Sequence, residues 1–123
     1  MTASKKKVLL VEDDKFLNKL YLDLLTSEGY KVSLAEDGAS ALEKIQSDGW
    51  DLILLDVILP KMNGFEIFDK LDKSQKNHCP IIFMTNLDSS DKDKAKLEKA
   101  DEYWIKSDMS PPDFIKKVKS VLK

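Results

Sequence analysis

The chain has 123 residues, 20 of them basic and 22 acidic, for a formal charge of −2. That length suits one domain, and 42% apolar residues are enough for a core without disulfide or metal staples. All the basic residues are lysine, so no guanidinium fork is present to read guanine or clamp phosphate, and the balanced charge argues against a dedicated nucleic-acid binder. No apolar run approaches the ~20 residues of a membrane span, and no apolar leader opens the chain. The single cysteine, Cys79, has no internal partner, so a reducing cytoplasm is the expected location.

Lys5-Lys6-Lys7 reads as a solvated lead-in. Val8 to Val11 is an apolar run bounded by charge, which predicts a strand buried on both faces. After Glu12-Asp13-Asp14, residues Phe16, Leu17, Leu20 and Leu24 recur at helical spacing, Leu25 widens the stripe, and Gly29 ends the helix. Val32 and Leu34 mark a second strand. Asp37-Gly38 is turn chemistry. Ala41, Leu42 and Ile45 then predict a second helix, closed at Gly49. Leu52 to Leu55 is a third strand ending at Asp56, and Pro60 and Gly64 punctuate the loop beyond it. Phe65, Phe68 and Leu71 begin a third helix. Ile81-Ile82-Phe83-Met84 is a fourth strand ending at Thr85. Asp88 to Lys99, with Ala95 and Leu97, predicts a weakly amphipathic fourth helix. Tyr103-Trp104-Ile105 is a fifth strand ending at Lys106. Pro111 or Pro112 opens a fifth helix carrying Phe114, Ile115, Val118, Val121 and Leu122. Core packing is the expected role of every one of these stripes. Buried strands joined by helical crossovers require a parallel sheet with helices on both faces, hence an α/β fold. No linker or repeat interrupts residues 1–123, which are expected to form one domain with a core from about residue 6 to residue 123.

In an open parallel sheet, ligands bind beyond the carboxyl ends of the strands. Four of the five ends carry polar groups: Glu12, Asp13 and Asp14; Asp56; Thr85 and Asn86; Lys106. The second strand ends at Ala35 and Glu36, off to one side. Carboxylates from adjacent strand ends repel, and a hard divalent cation such as Mg²⁺ relieves that repulsion. A lysine adds positive charge and a hydroxyl adds a hydrogen bond. Together these are the parts for holding a phosphoryl group on an aspartate, where catalysis is mostly positioning and charge neutralisation. Asp14 is expected to cap the helix that follows. His78 reads as a solvated loop histidine, since no ligand partner lies near it in sequence. Cys79 reads as a small apolar residue before the fourth strand, and Trp50 and Trp104 as packing residues.

Val8-Leu9-Leu10-Val11-Glu12-Asp13-Asp14 resembles the opening of the response-regulator receiver domain of two-component signalling. Asp56-Val57-Ile58-Leu59-Pro60-Lys61-Met62-Asn63-Gly64 resembles that family's phospho-acceptor segment, D-x-x-x-P-x-M-x-G, and Thr85 and Lys106 fall where its switch hydroxyl and phosphate-binding lysine lie. The resemblance covers the whole chain. It implies a flavodoxin-like (βα)5 three-layer sandwich with strand order 2-1-3-4-5. It implies phosphoryl transfer from a sensor histidine kinase or a histidine phosphotransfer protein onto Asp56. Asp13, Asp56 and the backbone carbonyl of Ile58 would ligate Mg²⁺, with Mn²⁺ able to substitute, and Glu12 would act through metal-bound water. Lys106 and Thr85 would hold the phosphoryl oxygens with Asn86 beside them, and Thr85 and Tyr103 would form the switch.

Three positions depart from the family pattern. Ser107 stands where proline usually follows the lysine, Asn86 where a small residue usually follows the threonine, and Lys99 where many members have glycine. A cis peptide costs ~3–4 kcal/mol before a non-proline residue, so a trans Lys106–Ser107 bond is expected. Ile58 and Asn86 are bulky enough to slow hydrolysis of the phosphoryl group. The expected function is a stand-alone phospho-switch, without an output domain, that acts through an unknown downstream protein and touches neither nucleic acid nor membrane. Its output face would comprise the fourth helix, fifth strand and fifth helix, anchored by exposed Trp104, Met109, Pro111 and Pro112. Asp101 and Glu102 would find only Lys116, Lys117 and Lys119 to pair with, so a monomer, or a weak dimer on phosphorylation, is expected. The chain would catalyse its own phosphoryl transfer and slow dephosphorylation without being a dedicated enzyme. The alternative is a receiver cut from a longer transcription factor or hybrid kinase. A phosphatase is disfavoured because Ile58 stands where such enzymes place a second aspartate. A flavodoxin is disfavoured because Glu12-Asp13-Asp14 would repel the flavin's phosphate.

Overall fold

The computed structural model describes residues 5–47, 49–72, 74, 79–86 and 91–122. His78 and Asp88 lie outside them. Five strands, β1 (Lys7–Val11), β2 (Lys31–Ala35), β3 (Leu52–Asp56), β4 (Ile81–Thr85) and β5 (Glu102–Ile105), form one parallel sheet in the order β2-β1-β3-β4-β5. The helices are α1 (Lys15–Ser27), α2 (Gly38–Gln46), α3 (Gly64–Lys70), α4 (Asp91–Leu97) and α5 (Pro111–Val121). A single 3₁₀ turn, Lys106–Asp108, joins β5 to α5.

The all-apolar strands are buried on both faces because each face packs on helices. Leu9, Val11, Ile53, Leu55, Ile81 and Phe83 pack with Ala41, Ile45, Ile67, Phe68 and Leu97 from α2, α3 and α4. Val8, Leu10, Leu52, Leu54, Ile82, Met84 and Trp104 pack with Tyr21 and Leu25 of α1 and Phe114 and Val118 of α5. The result is the expected three-layer sandwich. Local chemistry sets the helix ends. Asp14 accepts hydrogen bonds from the N–H groups of Phe16 and Leu17 at the start of α1. Asn63 with Glu66, and Ser110 with Asp113, form capping boxes on α3 and α5. Gly29 follows α1 at φ +90°, a left-handed conformation suited to glycine. The second helix ends at Gln46, three residues short of Gly49.

Two packing expectations are corrected. Phe16 is 76% exposed, not core. The buried row of α1 runs through Leu17, Tyr21 and Leu25, and Phe16 sits five residues before Tyr21, about 140° around the helix. Trp104 is only 3% exposed, so it packs, as one expectation has it, and does not anchor an exposed output face, as the other does. Strand alternation turns its ring toward α5, where it meets Phe114 edge-on at 6.2 Å. Met109 is half-buried against the same core, while Pro111 and Pro112 remain exposed.

Candidate active site

The sheet order brings the carboxyl ends of β1, β3, β4 and β5 side by side. Glu12 and Asp13 follow β1, Asp56 ends β3, Thr85 ends β4, and Lys106 follows β5. Glu36, beyond β2, stands apart and bonds Lys15 and Asn18 instead. The four strand ends therefore converge as the sequence predicts, and they do so in a buried setting. Glu12 is 1% exposed, Asp56 5% and Thr85 1%.

Lys106 organises the centre. Its Nζ donates to Glu12 Oε1 at 2.5 Å and to Asp56 Oδ2 at 3.0 Å. The other oxygen of each carboxylate meets backbone: Asp14 N–H donates to Glu12 Oε2 at 3.2 Å, and Ile58 N–H donates to Asp56 Oδ1 at 3.4 Å. Carboxylate oxygens of Glu12, Asp13 and Asp56 all lie within 4.8 Å of one another. Among these described groups, three acids face one ammonium. Burial pushes the Glu12 carboxyl up to about 7, reinforced by its hydrogen bond and charge interaction with Asp56 and opposed by Lys106. Burial pulls the Lys106 ammonium down, but its bonds to Glu12 and Asp56 outweigh that and hold it above the usual lysine range.

The loop that follows Asp56 is built by close approach. A Cβ on Gly64 would lie 2.3 Å from the Asp56 carbonyl oxygen, and the Gly64 N–H donates to Val57 O at 2.7 Å. Only glycine lets the start of α3 press against the Asp56–Val57 peptide. Lys61 turns the loop at φ +70°. Ile58 projects outward at 63% exposure beside the acidic cluster.

Tyr103 is half-buried and packs on the α2–α4 side. In register, Phe83 pairs with Tyr103 and Thr85 with Ile105, so Thr85 and Tyr103 share one face of the sheet. Asn86 is exposed, and its Oδ1 accepts the N–H of Ser107 at 2.9 Å, a contact that sequence inspection does not give. No described peptide is cis, so the Lys106–Ser107 bond is trans, as expected. Asp101 does not join a charge network with α5. Its Oδ2 accepts the Ile81 N–H, Lys119 pairs with Glu28, and Lys117 lies 5.8 Å from the Trp104 ring centroid. Cys79 is half-buried, and burial pushes its thiol up to about 11, which leaves it a packing residue rather than a nucleophile.

Known proteins resemble this chain in sequence and fold. The chain is 38% identical over 119 residues to the alkaline phosphatase synthesis transcriptional regulatory protein PhoP of Bacillus subtilis, covering 96% of this chain and 49% of that protein. It is 32% identical over 118 residues to the polar-differentiation response regulator DivK of Brucella anthropi, covering 95% of this chain and 96% of that one. It thus spans about half of one relative and nearly all of the other. The chemotaxis response regulator CheY4 of Vibrio cholerae superposes with a TM-score of 0.85 at 31% identity, over 97% of this chain and all of that chain. The response regulator receiver domain model matches residues 8–119. That span runs from the first buried residue of β1 into the last turn of α5, taking in every strand end that meets at Asp56, and the chain belongs to the response regulator receiver domain family.

Proposed function

We propose that the domain is a phospho-acceptor switch in a histidine–aspartate phosphorelay, with Asp56 as the acceptor. A carboxylate oxygen of Asp56 attacks the phosphorus of a phosphohistidine on a sensor kinase or phosphotransfer protein. The phosphorus–nitrogen bond breaks, and the departing imidazole keeps the electron pair. The observation that carries this reading is the single ammonium of Lys106 held between two buried carboxylates, with Asp13 beside them. An acidic trio of oxygen ligands fits a hard cation. Asp13, Asp56, the Ile58 carbonyl and, through water, Glu12 would hold Mg²⁺, which when bound neutralises the carboxylates and the incoming phosphoryl oxygens. Lys106 then exchanges part of its contact with Asp56 for a phosphoryl oxygen. Thr85, buried at the end of the neighbouring strand, donates its hydroxyl, with Asn86 at the mouth of the site.

Phosphorylation is read out as a protein contact through Thr85 and Tyr103, which share one sheet face. The chain promotes its own phosphoryl transfer and slow hydrolysis rather than serving as a dedicated enzyme. It works in the cytoplasm, and no described helix is long and apolar enough to cross a membrane. A second reading, a receiver from a longer transcriptional regulator, is favoured by one fact: the chain spans 49% of the PhoP relative. The length of the native reading frame separates the two. Incubation with acetyl phosphate and Mg²⁺ should add one phosphoryl group to the intact mass. EDTA or Asp56→Asn should prevent it, and an Asp56→Asn variant labelled like the wild type would overturn the assignment.

A further inference from the structure

Two departures from the family pattern meet in space. Asn86 directly follows Thr85 at the end of β4, and Ser107 directly follows Lys106 at the end of β5. The Asn86 Oδ1 accepts the Ser107 N–H at 2.9 Å. A proline at position 107 has no N–H to give, and a small apolar residue at 86 has no oxygen to receive it. We propose that Asn86 and Ser107 form a tether that fixes the spacing between the hydroxyl of Thr85 and the ammonium of Lys106. It thereby preorganises the phosphate-holding pair. Both are positioning residues rather than catalytic ones. The inference rests on the reading of Thr85 and Lys106 as the groups that hold the phosphoryl oxygens.

The surroundings explain why a tether matters here. Thr85 and Ile105 are paired in the sheet, but beyond them the two strands part. Lys106 enters a single 3₁₀ turn, closed by Met109 N–H donating to Lys106 O at 3.3 Å. The Asn86–Ser107 bond spans the gap, one residue past the ladder on the β4 side and two on the β5 side, and ties that turn back to β4. It keeps the Lys106 side chain directed at Glu12 and Asp56, where its Nζ is found. Positioning of this kind is the main catalytic resource in phosphoryl transfer.

Two measurements test the tether. The first is amide hydrogen exchange at Ser107. Protection should be lost in Asn86→Leu and kept in Ser107→Ala, which retains the N–H. Equal exchange in wild type and Asn86→Leu would overturn the proposal, whether or not the protein is phosphorylated. The second is the rate of phosphorylation by acetyl phosphate, followed by intact mass. Asn86→Leu and Ser107→Pro should each slow it about threefold to tenfold, the range of one lost hydrogen bond. The double variant should be no slower than the slower single one, since both remove the same interaction. Multiplying effects would show two unrelated perturbations and overturn the tether. If the wild type takes no phosphoryl group at all, the phospho-acceptor reading fails instead, and the exchange result still decides whether the tether exists.

Discussion

At the scale of single residues, the site is defined by charges that are placed at a cost. Glu12 and Asp56 are both buried, and a single ammonium lies between them. The carboxyl of Glu12 is raised from 4.5 to about 7, so the folded state holds a proton that the unfolded chain releases earlier. The sign follows from linkage. Without divalent cation, the contribution of this carboxyl to stability should be fully present below about pH 4.5 and should be lost as pH rises through about 7. Burial is the first cause and Asp56 the next, so Asp56→Asn should flatten the decline and stabilise the protein at pH 8 by about 1 kcal/mol. Urea denaturation in EDTA at pH 5 and pH 8 measures both effects. A variant that is less stable than wild type at pH 8 would contradict this electrostatic account. Gly64 is constrained sterically instead. Its missing Cβ would meet the Asp56 carbonyl oxygen at 2.3 Å, so Gly64→Ala should cost ~1–3 kcal/mol of stability. It should also slow the proposed phosphorylation by shifting Asp56, and a variant with wild-type stability and rate would refute that account.

At the scale of elements, the strands are the parts that sequence shows best. Val8–Val11, Leu52–Leu55 and Ile81–Met84 are uninterrupted apolar runs, and burial on both faces of a parallel sheet leaves little else for them to be. Their polar terminal residues gave the site by the same logic. Helix faces were less legible. The stripe of Phe16, Leu17, Leu20, Leu24 and Leu25 is broader than the row that packs: Leu17, Leu24 and Leu25 sit against the core, while Phe16 faces out. Tyr21, outside the predicted stripe, is buried as well, and its ring packs on Phe114 with centroids 4.6 Å apart and the planes tilted by 34°. The choice of row has a measurable consequence. Phe16→Ser should change stability by no more than ~0.5 kcal/mol, while Leu25→Ala should cost ~2–5 kcal/mol. Similar losses from the two would return Phe16 to the packed face of the helix. Trp104 went astray as an exposed anchor for a related reason. Beside a half-buried tyrosine, alternation must bury one ring fully, and it buries the one facing α5.

At the scale of the whole molecule, the strand order assembles the candidate site. With β1 and β3 adjacent at the centre, carboxylates from two separate segments become neighbours. With β4 and β5 following on one side, a hydroxyl and an ammonium arrive next to them. Residues 94 positions apart, Glu12 and Lys106, end within hydrogen-bonding distance for that reason. This convergence was readable in advance because order 2-1-3-4-5 follows from the resemblance and the strand ends are polar in sequence. The Asn86–Ser107 bond was not, since it depends on how two loops run beyond the sheet, which no periodicity encodes. The central claim is that this convergence makes Asp56 the acceptor. Acyl phosphates are reduced by borohydride to the alcohol, which converts a phosphorylated aspartate into homoserine. Peptide mapping of the acetyl-phosphate-treated protein after reduction should find homoserine at position 56 and unmodified Glu12 and Asp13. Reduction found at either of those residues, with Asp56 intact, would contradict the account.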